Sequence, residues 1–173
     1  MPIKVPTSFP AISALQGENI CLSDFPSAFI NAARNVRLLV LNLMPLKIDT
    51  EINLLRVLSN STLSIEIDWI VPQGHLSKNT STEHIEKFYK HFSDVEPLHY
   101  DGMIITGAPV EHLPFEEVDY WRELTTIFDW ALTHVNSTLG SCSRAILLLR
   151  CTQNYVTTKM LWCFSSRSAY SHT

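Results

Sequence analysis

Val36-Arg37-Leu38-Leu39-Val40-Leu41-Asn42-Leu43 is an almost unbroken apolar run, and it restricts the fold more than any other stretch. It shows no polar alternation, so a strand made from it has no face suited to water. Strands buried on both faces belong to parallel sheets covered by helices on either side. Met44-Pro45 ends the run, because proline removes a ladder donor.

The following segments supply the other parts of such a sheet. Asp49 and Thr50 offer N-caps for a helix over Glu51 to Leu58, with Ile52, Leu54, Leu55 and Leu58 as its buried stripe. Leu63 to Ile70 alternates, which predicts a second strand with one face less buried. A helix starting at Thr82 places Ile85, Phe88 and Phe92 on one side and leaves His84 and His91 facing solvent. Asp101 to Gly107 reads as a third strand. The loop Gly107-Ala108-Pro109-Val110-Glu111 then leaves its carboxyl end, the edge where open α/β sheets bind ligands. Phe115 to Thr133 is an amphipathic helix with Glu116 and Glu117 at its start. Trp121, Leu124, Ile127, Phe128 and Leu132 form its expected core face, as packing residues and not a platform for bases. Ser137 to Leu139 is a fourth strand. The order β-α-β-α-β-α-β predicts a doubly wound α/β domain. Residues 1–35 read as an irregular arm, interrupted by Pro2, Pro6, Pro10 and Pro26.

Bulk properties narrow the function. A chain of 173 residues with 46% hydrophobic content can bury one real core. A formal charge of −4 gives no electrostatic case for nucleic acid or anionic membrane. No apolar run reaches the ~20 residues of a membrane span, and the N-terminus has no signal-peptide core. Cys21, Cys142, Cys151 and Cys163 make no CxxC pair or zinc spacing, and the histidines form no i, i+4 metal pair. Reduced thiols in a cytoplasmic protein without a metal are the expectation.

Val135-Asn136-Ser137-Thr138-Leu139-Gly140-Ser141-Cys142 carries the chemistry. A β-type start passes through small residues to a cysteine, and a helix-forming segment follows from Ser143. Such a strand–turn–helix elbow can lift one side chain above a sheet edge. A helix N-terminus beside the sulfur favours thiolate. A cysteine in an apolar setting is otherwise a small buried hydrophobe, so the elbow alone does not make a nucleophile.

Met1-Pro2-Ile3, Leu41-Asn42-Leu43-Met44-Pro45, Lys47-Ile48-Asp49-Thr50-Glu51, Leu58-Ser59-Asn60-Ser61, Thr106-Gly107-Ala108-Pro109, Tyr120-Trp121 and His134 to Leu139 together resemble the homoserine O-acyltransferases of methionine biosynthesis. The likeness spans residues 1–142 and implies a class I glutamine amidotransferase-like (flavodoxin-like) fold. It implies an acyl-thioester on Cys142, formed from acyl-CoA and passed to the hydroxyl of L-homoserine. Backbone N–H groups near Cys142 and in the Gly107, Ala108, Pro109 loop would hold the oxyanion. At the position of Glu111 the family carries glycine with succinyl-CoA and glutamate with acetyl-CoA. A carboxylate there repels and crowds a succinyl group, so the resemblance implies acetyl-CoA as co-substrate. It also implies a homodimer and no further cofactor.

After Leu139 the likeness fails. The family continues with Cys-Trp-Gly, a tyrosine-containing helix and a later catalytic His and Glu, whereas this chain runs Cys142-Ser143-Arg144-Ala145-Ile146-Leu147-Leu148-Leu149-Arg150-Cys151. Ser143 to Arg150 can be encoded so that reading one base later spells Ala-Gly-Leu-Tyr-Tyr-Tyr-Tyr-Gly. A shifted frame is therefore expected. It divides the chain into an arm (1–35), the N-terminal part of an acyltransferase domain (36–142) and an aberrant tail (143–173) not selected for the fold. The sheet is then incomplete at its C-terminus, and low stability and little activity are expected. Three other readings stand beside an acetyltransferase: an inactive relative, a succinyl-CoA- or serine-specific variant, and a glutaminase-type domain using the same elbow. The last needs a downstream His-x-Glu and lacks the N-terminal motifs.

Overall fold

The structure is a computed structural model, and it describes residues 3–6, 8–18, 20, 22–23, 35–61, 63–73, 79–107 and 120–140. The chain starts with β1 (Ile3–Lys4), α1 (Ala11–Gln16) and β2 (Leu22–Ser23). β3 (Asn35–Leu41) feeds α2 (Lys47–Leu58), which returns through β4 (Ser64–Ile70). Next come α3 (Thr82–Phe88), β5 (Tyr89–Lys90) and α4 (Phe92–Val95). β6 (Gly102–Ile105), α5 (Trp121–His134) and β7 (Thr138–Gly140) complete the described elements.

The sheet runs β2-β1-β4-β3-β6-β7, with β5 also beside β4, and these pairings are parallel. The apolar run predicted to be central is β3. Asn35 to Leu41 pairs with Ser64 to Ile70 on one side, and Leu38 to Leu41 pairs with Gly102 to Ile105 on the other. Its side chains alternate between two cores. Leu39 and Leu41 join Ile70, Met103 and Ile105 against Leu124, Ile127 and Phe128 of α5. Val40 joins Ile65, Ile67, Trp69 and Ile104 against Ala11, Leu15 and Leu55 of the opposite layer. Helices on both faces of a parallel sheet make the doubly wound α/β architecture that the order of elements predicts.

Several local expectations are corrected. The proline-rich start is not irregular throughout. Ile3 and Lys4 pair with β4, and α1 begins at Ala11 behind Pro10. Pro6 and Pro10 fall between β1 and α1, where no ladder or helical N–H is lost. β4 alternates in sequence but is buried on both faces. Ile65, Ile67 and Trp69 pack into one core and Ile70 into the other, and Asp68 on its polar face is satisfied by other side chains. Tyr100 Oη donates to Asp68 at 2.7 Å, while Lys90 Nζ lies 2.8 Å and Arg37 3.6 Å from the carboxylate. α3 stops at Phe88, because Tyr89 and Lys90 pair with Trp69 and Ile70.

In α5 the buried stripe is Leu124, Ile127, Phe128, Trp130 and Ala131. Leu132 is exposed instead. Trp130 and Leu132 lie on opposite flanks of the stripe, and what packs there decides between them. Phe92 of α4 meets the indole edge-on, and the indole N–H donates to the Glu96 carbonyl at 2.7 Å. The expected start of this helix at Phe115 lies outside the described residues.

Candidate active site

The chain leaves β3 in one direction, through α2 to β4, and later returns to the other side of β3 as β6. The loops following Leu41 and Ile105 therefore diverge, and the crevice between them is the topological switch point of the sheet. The ladder extends one residue past each strand: Asn42 N–H donates to Ile70 O and Thr106 N–H to Leu41 O, both at 3.0 Å. Leu43 N–H then donates to Thr106 Oγ1 at 2.7 Å, joining the two exit loops across the crevice. Gly107 follows, half-buried.

β7 completes this edge. Gly140 pairs with Ile105, so the chain leaves β7 beside the start of the Gly107 loop. Two of the regions singled out in the sequence, the Gly107 loop and the approach to Cys142, thus reach the sheet's carboxyl edge side by side. Ala108, Pro109, Glu111 and Cys142 themselves lie outside the described residues.

Behind the crevice sits a buried polar cluster that the sequence pattern does not predict. α2 begins at Lys47, one turn earlier than expected, so Asp49 and Thr50 lie in its first turn and not at its cap. Its fully buried residues are Lys47, Glu51 and Leu55, whereas Ile52, Leu54 and Leu58 pack at the flank. Lys47 Nζ donates to the carbonyls of Asn42 at 2.8 Å and Met44 at 3.3 Å, tying down the β3 exit. Burial pushes the Lys47 ammonium from 10.5 down to about 8, and the Glu51 charge opposes this in part.

Glu51 Oε1 accepts from Tyr89 Oη at 2.6 Å and lies 2.9 Å from His84 Nε2. His84 is therefore buried, not solvent-facing as its helical position suggested. Ser81 caps α3 by accepting from His84 N–H, and this cap orients the ring toward α2. Glu51 Oε2 has no hydrogen-bond partner among the described residues. Tyr89 also accepts from Asn42 Nδ2 at 2.8 Å. Burial first, and the Glu51 carboxylate second, push the Tyr89 phenol far up, so it keeps its proton. The sequence signal for this cluster was Lys47, Glu51 and Leu55 at i, i+4 and i+8, a single stripe of α2. Among the described residues no group of three or more His, Cys, Asp and Glu could hold a metal ion. None of the described helices is long and apolar enough to cross a membrane.

Strand order and crossovers define a doubly wound α/β protein, an architecture whose switch point lies at the carboxyl edge of the sheet. The family described as homoserine O-succinyltransferase matches residues 2–173. The chain belongs to that family. It is 52% identical over 142 residues to a homoserine O-acetyltransferase of Parabacteroides distasonis, covering 82% of this chain and 46% of the relative. The homoserine O-acetyltransferase of Streptococcus pneumoniae is 50% identical over 152 residues, 87% of this chain and 48% of the relative. That of Bacteroides thetaiotaomicron is 52% identical over 142 residues, 82% of this chain and 47% of the relative. The chain spans about half the length of these curated relatives.

Proposed function

We propose that this chain carries the acyl-donor half of a homoserine O-acetyltransferase, with Cys142 as nucleophile and acetyl-CoA as donor. The Cys142 thiolate attacks the thioester carbonyl, and the tetrahedral oxyanion collapses to expel the CoA thiolate. Acetyl-Cys142 then passes its acetyl group to the hydroxyl of L-homoserine, whose proton goes to a base not assigned among these residues. Backbone N–H groups near Cys142 and in the loop of Gly107, Ala108 and Pro109, where Gly107 and Ala108 supply the donors because proline has none, hold the oxyanion. Glu111 excludes the succinyl carboxylate by charge and volume. No metal or further cofactor takes part. The enzyme works in the cytoplasm as a homodimer.

One observation carries the reading. The exits of β6 and β7 lie adjacent at the switch-point edge, in a chain about half identical to named acetyltransferases. Incubation of the purified chain with acetyl-CoA is expected to add one acetyl group by intact mass, and Cys142→Ser to abolish it. Succinyl-CoA is expected to react only after Glu111→Gly. No adduct on folded, soluble protein would refute the donor-half assignment. That outcome favours a second reading, an inactive relative, which rests on the departure from the family pattern after Leu139.

A further inference from the structure

We propose that the buried Glu51–Tyr89–Asn42 hydrogen-bond chain is a positioning device for the switch-point crevice, with Thr106 as its last link. For its catalytic consequence the inference rests on the acetyl-transfer reading; its geometric content stands apart from it.

The argument follows the direction of each proton. A carboxylate only accepts, so the Tyr89 hydroxyl must give its single proton to Glu51 Oε1, 2.6 Å away. Its oxygen is then an acceptor, and it takes Asn42 Nδ2–H at 2.8 Å. This sets which way the Asn42 amide faces. Oδ1 must turn toward the exit loop, where it accepts Met44 N–H at 3.2 Å. The Thr106 hydroxyl proton is shared between Asn42 Oδ1 and the Gly107 carbonyl, each at 3.4 Å. Thr106 Oγ1 in turn accepts Leu43 N–H at 2.7 Å. A chain that begins on α2 and crosses β5 therefore ends on Gly107, at the loop assigned to the oxyanion. Asn42, Glu51, Tyr89 and Thr106 are all buried, so water does not substitute for a missing link. If the amide were reversed, its NH₂ would face Met44 N–H and the shared Thr106 proton, and both lips of the crevice would come loose.

The test is amide hydrogen exchange on the full 173-residue chain, with acetylation of Cys142 as a second readout. Tyr89→Phe keeps the ring and deletes only the hydroxyl. The expected result is exchange about tenfold faster at Leu43 and Met44, with β4 amides unchanged, as for loss of a hydrogen bond within a charged network. Thr106→Val is expected to reproduce this at Leu43, and Thr106→Ser to restore it. In both loosened variants the maximal rate of Cys142 acetylation is expected to fall about tenfold with the acetyl-CoA dependence little changed. Unchanged protection at Leu43 and Met44 in Tyr89→Phe and Thr106→Val would overturn the proposal. Equal loss throughout β4 would overturn it too, by reducing these residues to ordinary core. If the unsubstituted chain takes no acetyl group, the donor reading fails, and the exchange results alone decide the positioning role.

Discussion

Replacing Lys47 by methionine is expected to remove a pH dependence of stability that this one buried ammonium creates. Lys47 is fully buried and donates only to the two carbonyls of the β3 exit loop, without a hydrogen bond to a carboxylate. Burial lowers its affinity for the proton from 10.5 in the unfolded chain to about 8 in the folded one. Below about pH 8 both states carry the charge, and the folded state bears the whole cost of burying it. As pH rises from there toward 10.5, the unfolded chain binds more protons than the folded one, so stability increases. The full difference is ~3 kcal/mol, of which about 2 kcal/mol develops between pH 8 and pH 10. The Tyr89 and Tyr100 phenols, both pushed up mainly by burial, act in the opposite sense at higher pH. They are present in both proteins and cancel in the comparison. Denaturant unfolding followed by the fluorescence of the buried Trp69 and Trp130 supplies the stabilities. The gap between the unsubstituted chain and Lys47→Met should move by about 2 kcal/mol toward the unsubstituted chain over that range. Parallel stability curves would show that the Lys47 amine titrates alike in both states, and the burial argument would fail.

Tyr100→Phe deletes the hydroxyl that donates to buried Asp68, and should cost about 1.5–3 kcal/mol in the same unfolding assay. Ile127→Ala empties a fully buried α5 position and should cost ~2–5 kcal/mol, whereas Leu132→Ala on the exposed flank should stay within about 0.5 kcal/mol. Equal losses at the two sites would refute the observed face of α5. Sequencing the gene tests the frame: the codons of Ser143 to Arg150 should spell Ala-Gly-Leu-Tyr-Tyr-Tyr-Tyr-Gly when read one base later, and one incompatible codon removes the shift.

The strand exits that lead toward the candidate site were legible in local chain chemistry. Gly107 at the end of a strand, and small residues leading from Val135 toward Cys142, are patterns along the chain. The strand pairings bring both to one edge, Ile105 beside Gly140. The polar cluster behind them was not legible. Periodicity assigns charged residues to water, and on that rule the inner face of α2 belongs to Ile52, Leu54, Leu55 and Leu58. The structure turns Lys47 and Glu51 inward because carbonyls of the β3 exit, the Tyr89 hydroxyl and His84 wait there to pair with them. The carbonyls that Lys47 meets are local, but His84 and Tyr89, the partners of Glu51, lie 33 and 38 positions away along the chain, beyond the reach of a local pattern.

The sequence alone pointed to β3 as a central strand, and with it to a parallel sheet between two layers of helices; its second half, Leu39 to Leu41, is buried on both faces. Desolvation of a nearly continuous apolar run favours that placement. Tertiary structure decided what a period of 2 or 3.6 leaves open. It placed Ile3 and Lys4 of the proline-rich start beside β4 and drew Tyr89 and Lys90 out of a helix into the sheet. It also buried Trp130 in place of Leu132. In each case the local pattern fits more than one arrangement, and a partner remote in sequence completes the hydrogen bonds or packing of only one.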